Sequence, residues 1–169
     1  MTTEPPYMSM IAPAVYQAMR AAGHPCPSGD GYPTHALNIY RHLSLFTKAR
    51  THEEGVTHLT YALALALDLA EGNDPGGFYA TAEARFIEAI TLDGLRAAHG
   101  IERVHTLMAA CTELWHALPQ GQDSNIRFIG YVSEVAVCLC ATLRIHGANP
   151  DNILPAINFS NVMLPGRPA

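Results

Sequence analysis

Between Tyr61 and Ala70 the chain is built almost entirely from Ala and Leu, so a helix laid over it is apolar on nearly every face. Such a helix cannot sit at a surface. It must be enclosed by other elements, and no segment elsewhere shows the sustained two-residue alternation of a strand, so the enclosing elements are helices too. The chain has 169 residues, 49% of them hydrophobic and only 15% charged. A domain of roughly 150 residues buries about 70% of the surface its unfolded form exposes, which is enough for one real core. The expected fold is all-α, an irregular bundle of five or six helices.

Residues 1–33 form a Pro- and Gly-rich segment with one short helical stretch from Ala14 to Ala22, ending at Gly23. From His24 to Pro33 the prolines remove donors and the glycines favour turns, so helix is not expected there. Thr34 then reads as the N-cap of a helix reaching about Arg50, with Leu37, Tyr40, Leu43 or Ser44, and Leu45–Phe46 toward the core. A second helix spans Glu54 to Glu71, and Asn73-Asp-Pro-Gly-Gly77 closes this first helix pair, 34–72. Helices follow over Phe78–Leu92, Ile101–Leu118 and Ile126–Ile145, with the polar run Gln120–Asn125 as a loop and Gly147 as a left-handed C-cap. A last short helix starts near Pro150, and Pro155 either opens a helix of its own or kinks this one. Residues 34–169 are read as a single domain.

A formal charge of −5 with scattered Lys and Arg leaves no basic stripe for a phosphate backbone, which argues against nucleic acid as a partner. Cys26, Cys111, Cys138 and Cys140 make no Cys-x-x-Cys pair, and three of them fall in apolar helical stretches, as buried thiols of a reducing compartment do. The start Met1-Thr-Thr-Glu-Pro-Pro has neither the basic nor the apolar region of a signal peptide. The longest apolar stretch, Leu59 to Ala70, is too short to span a bilayer. A cytoplasmic location without membrane attachment is expected.

Two motifs carry chemistry. The run Ala109-Ala110-Cys111-Thr112-Glu113-Leu114 lies on one predicted helix, and Glu134-Val135-Ala136-Val137 on the next. With the tail His146-Gly-Ala-Asn-Pro-Asp-Asn-Ile-Leu154 and with Ser160-Asn161-Val162-Met163-Leu164, residues 101–164 resemble the MazG-type all-α nucleotide pyrophosphohydrolases. That family places Glu-Glu-x-x-Glu and Glu-x-x-Asp at these spacings and ends in Asn-Met-x-Lys. Here Ala109, Ala110 and Val137 replace three of the five acids, and Leu164 replaces the lysine. The resemblance implies Mg²⁺ or Mn²⁺ held by acids, water attacking the α–β phosphate linkage of a dNTP, and a homodimer or homotetramer. It also gives Glu113 and Glu134 the catalytic and metal positions and Asn161 a nucleotide contact.

More faintly, Arg41-His42, then Glu54-Gly55-Val56-Thr57-His58-Leu59 and the small-residue helix after them, resemble the N-terminal region of phage dATP/dGTP diphosphohydrolases, with Tyr61 where those proteins usually have a further histidine. Both resemblances imply phage nucleotide metabolism in the host cytoplasm. Glu54 and His58 share one helix face, and His42 could face them from the preceding antiparallel helix. Such a set binds Zn²⁺ or Mn²⁺ or supplies a base near neutral pH, unless these are merely a first-turn Glu and surface histidines.

Losing three acids removes about three units of ligand charge, and Mg²⁺ held by two carboxylates plus phosphates is bound weakly. The leading expectation is therefore a MazG-like protein without the standard hydrolysis, binding a nucleotide or a protein partner. An active pyrophosphohydrolase with Glu113 and Glu134 supplemented by His42, Glu54 and His58 is one alternative; a helical phage inhibitor of a host system is another. Glu113 and Glu134 either face inward together or lie on solvated edges. Trp115 either lines a base pocket or packs in a core or oligomer interface. Arg41, Arg127 and Arg167 contact phosphate only if they converge. Glu102-x-x-His105 and Glu113-x-x-His116 have di-iron spacing but share one helix, about 16 Å apart, and so cannot build that centre unaided.

Overall fold

The computed structural model describes residues 7–22, 31–73, 97–117, 122–148 and 150–159. Among these residues the chain is all-helical, a packed irregular bundle. Its elements are α1 (Tyr7–Ala21), α2 (Gly31–Thr47), α3 (His52–Asn73), α4 (Ala97–Ala117), α5 (Gln122–Ile145) and the single turn α6 (Pro150–Ile153), which passes into a 3-10 turn at Leu154–Ala156. No described helix is long and apolar enough to cross a membrane.

The Ala/Leu helix is the axis of the bundle. Every residue of α3 from Leu59 to Ala70 is buried, and α3 packs against α1, α2 and α5. Small Ala side chains let neighbouring helices come close, while Leu59, Leu63, Leu65 and Leu67, all nearly inaccessible, fill the gaps between them. α5 contributes a second apolar wall, Val135 to Ala141, and α4 lies antiparallel along it, with Val104, Met108 and Cys111 turned inward.

Several boundaries differ from those the sequence suggests. α1 begins at Tyr7, running through Pro13 rather than starting after it. An interior proline costs about 3 kcal/mol. Burying Ile11, Ala12, Val15 and Met19 on one face of α1 offsets it and places this N-terminal segment in the common core. α2 starts at Gly31, so Tyr32 and Pro33 are helical; Pro33 lies in the first turn, where its missing N–H is no loss. Leu37, expected in the core, is 49% exposed, whereas Asn38 and His35 are buried. α5 takes in Gln122–Asn125, part of the expected loop.

Gly147 does end the following turn with φ 72°, and the Ala148 N–H bonds back to the Leu143 carbonyl, as in a left-handed helix cap. At Pro155 the chain tightens from an α turn into a 3-10 turn. The expected helix over Phe78–Leu92, together with Cys26, Asn161 and Arg167, lies outside the described residues.

Candidate functional site

The polar residues of interest gather along the interface of α2 and α3. His42 is fully buried on α2, and its Nδ1 lies 3.1 Å from Nδ1 of the half-buried His58 on α3. At that distance one ring donates an N–H and the other accepts it, so the pair shares a single Nδ1 proton. Tyr61 closes the cluster: its ring centroid is 5.1 Å from that of His42 and 6.2 Å from that of His58. Its hydroxyl donates to the Asn158 carbonyl at 2.9 Å, which ties the C-terminal segment to the cluster. Burial pulls the His58 imidazole below its ordinary range, and the nearby Glu54 carboxylate partly opposes this. His42 and His58 thus face each other across α2 and α3, one of the two arrangements the sequence left open for them.

Glu54 also has a structural task. Thr51 Oγ1 accepts the Glu54 backbone N–H at 3.2 Å, and the Glu54 carboxylate accepts the Arg50 N–H at 3.3 Å. Together they cap the start of α3 much as a capping box does, although the carboxylate reaches back four residues to Arg50 rather than three to Thr51. His52, two residues ahead of the expected helix start at Glu54, is the first helical residue; its ring stands 5.8 Å from that of His146, which also meets Phe46 edge-on at 5.5 Å. Burial, then the His52 charge, lowers the His146 pKa, and its Nε2 is enclosed without a hydrogen bond among the described residues. Beside this corner an open cleft of about 540 Å³ lies between Thr51–Glu54 and the chain from Gly147 to Ile157.

About two turns further along α2 and nearly three along α3, sequence reasoning missed a second polar pair. His35 Nε2 is 2.8 Å from Asp68 Oδ2, and both residues are almost wholly buried. Asp68 sits inside the Ala/Leu run, and reading that run as uniformly apolar hid it. An acid in the middle of an enclosed helix is itself the signal, since a buried carboxylate requires a partner.

The carboxylates implied by the MazG resemblance are arranged differently. Glu113 is exposed on α4. Glu134 is half-buried on α5, and its carboxylate accepts from the Arg103 guanidinium at 3.5 Å. Arg103 precedes Glu113 by ten residues on α4, ~15 Å of helix rise, and a helical side chain leans toward the N-terminus, away from Glu113. Glu113 instead lies near the level where Trp115 meets Phe128, ring centroids 5.8 Å apart. The two acids therefore occupy different levels of the α4–α5 interface.

Of the positions where that family carries further acids, Ala109 is exposed and Val137 is 1% exposed, deep in the core. Trp115 packs with Tyr32 and Phe128, and the Tyr32 hydroxyl bridges to Thr112 at 2.9 Å. Among the described residues no group of three or more His, Cys, Asp or Glu is placed to hold a metal ion. Comparison with protein-family models, curated proteins and solved structures found no match.

Proposed function

We propose that this chain is a MazG-related helical protein of phage-type nucleotide metabolism that binds a nucleotide or a protein partner without hydrolysing the triphosphate by the family's route. One observation carries the reading: Glu134 is held by Arg103 while Glu113 stands on an exposed stripe of α4 well over a turn away. Two acids so separated do not grip one Mg²⁺–triphosphate complex, because catalysis by metal requires oxygen ligands converging on the same ion. The absence of acids at Ala109, Ala110 and Val137 supports it further.

The test is pyrophosphate release from all eight common (d)NTPs with Mg²⁺, Mn²⁺ or Zn²⁺. No turnover is expected. Turnover abolished by Glu113→Ala would overturn the reading. Calorimetry with the same nucleotides then separates its two branches: saturable binding assigns the nucleotide, and none at millimolar ligand leaves a protein partner.

A further inference from the structure

We propose that the cleft between the start of α3 and the chain after α5 binds a small organic cation, an ammonium group carried on an apolar stem. At about 540 Å³ the cleft falls within the size range of small-molecule sites, roughly 300–1,000 Å³. It is a hollow for a small molecule, not the extended surface that a stable protein interface needs.

Both walls are held in place without a ligand. One is the first turn of α3, fixed by the capping bonds of Thr51 and Glu54. The other begins at Gly147, whose φ of 72° turns the chain out of α5, and returns through α6 to Ile157. That return is anchored by the buried Ile153 and Phe159 and by the Tyr61 hydroxyl, which donates to the Asn158 carbonyl at 2.9 Å. Walls tied down in advance leave little ordering entropy to oppose binding.

The two walls differ in chemistry. The α3 wall carries the exposed acids Glu53 and Glu54, and the facing wall is apolar, with Ala148, Ile153 and Ile157; Val56 on α3 extends the apolar surface. Glu54 Oε2 accepts the Arg50 N–H, while the Glu53 carboxylate makes no hydrogen bond or ion pair among the described residues. No Lys or Arg is among the described lining residues, and the His52 ring stands against that of His146, centroids 5.8 Å apart. Two carboxylates beside an apolar wall, with no neighbouring cation in the lining, select a positive head group on a hydrocarbon stem. An anion is disfavoured there even though a helix starts at the cleft, because two carboxylates outweigh the roughly half charge of a helix N-terminus.

The test is a titration of the isotope-labelled full chain with hexylamine, hexanol and hexanoate at neutral pH and low salt, followed by heteronuclear NMR. Saturable shifts at millimolar hexylamine are expected, centred on the amides of Thr51 to Thr57 and of Gly147 and Ala148. Hexanol and hexanoate should bind at least about threefold more weakly, the scale of a solvent-exposed ion pair. Glu53→Gln, an exposed and conservative change, should weaken hexylamine by a similar factor, and Glu102→Gln on α4 should not. No saturable shifts, shifts centred elsewhere, hexanol binding as tightly as hexylamine, or undiminished affinity in Glu53→Gln would each overturn the site. The comparison of the three ligands needs no variant, and none of them carries a base or a phosphate, so its outcome is independent of the nucleotide reading.

Discussion

His35 and Asp68 meet across the interface of α2 and α3, Nε2 to Oδ2 at 2.8 Å, with side chains 7% and 2% exposed. The other ring nitrogen of His35, Nδ1, is buried without a hydrogen bond among the described residues. Each partner thus answers a need of the other, in a region where water does not reach.

Removing one member should cost more than removing both. Asp68→Leu strands His35 Nε2 in the core beside an Nδ1 already without a hydrogen bond among the described residues, and a buried polar group left without a partner costs about 1–3 kcal/mol. The double variant His35→Leu/Asp68→Leu replaces the pair by apolar groups and should recover much of that loss. Urea denaturation of the two single variants and the double variant measures the coupling. Additive losses would show that the pair contributes no interaction of its own.

Acids introduced at two positions of the MazG-like pattern, Ala109 and Val137, should have opposite outcomes. Ala109 is exposed, so Ala109→Glu should change stability by less than about 0.5 kcal/mol, as surface substitutions do. Val137 is 1% exposed, so Val137→Asp places a carboxylate in the apolar wall of α5 and should cost upward of about 3 kcal/mol. Thermal melts of the two variants check this. A stable Val137→Asp protein would mean that this position opens on a polar site.

Acid should weaken the fold before its carboxylates titrate. His58 and His146 both have pKa values lowered from the ordinary 6.5, in each case chiefly by burial. A histidine whose native pKa is lowered binds fewer protons folded than unfolded. Its contribution is therefore intact above about pH 6.5 and is lost as pH falls from there toward the native value. Denaturation midpoints taken downward from neutral pH should fall, and more shallowly in His58→Gln. A flat profile across that window would contradict the burial of both rings.

Thiol chemistry should report on the core. Burial pushes the Cys111 thiol up to about 12 and the Cys138 thiol up to about 11, and Cys140 is buried beside them in sequence. The thiolate is the reactive form, so none of these three should be alkylated by iodoacetamide at mildly alkaline pH until the protein unfolds. Mass spectrometry of the native chain should find at most one modified cysteine out of four, at Cys26. Rapid labelling of Cys111 would show that α4 separates readily from α5.

The helices were legible because apolar spacing and punctuation are local. Tyr61–Ala70 announces an enclosed helix without reference to any neighbour, and Gly147 marks a helix end because a left-handed residue is needed there. The opposition of His42 and His58 could also be foreseen, since two antiparallel helices with a short connection bring residues at these distances from the turn to the same level. The start of α1 could not: Pro13 argues against a helix locally, and only the burial of Ile11 and Ala12 against α3 and α5 offsets it. Leu37 and Asn38 exchanged places in the same way. Helical periodicity defines a face, but which side of α2 meets α3 is settled where the two surfaces pack.

Composition and spacing alone determined that the described residues form an all-helical bundle threaded by an Ala/Leu helix, because the free energy of burying an apolar face depends on residues a few positions apart. Only the tertiary structure decided which polar groups find partners: His35 with Asp68, His42 with His58, Glu134 with Arg103 rather than with Glu113. A hydrogen bond or an ion pair acts over about 3 Å between residues far apart in the chain, and that distance is set by the crossing of whole helices.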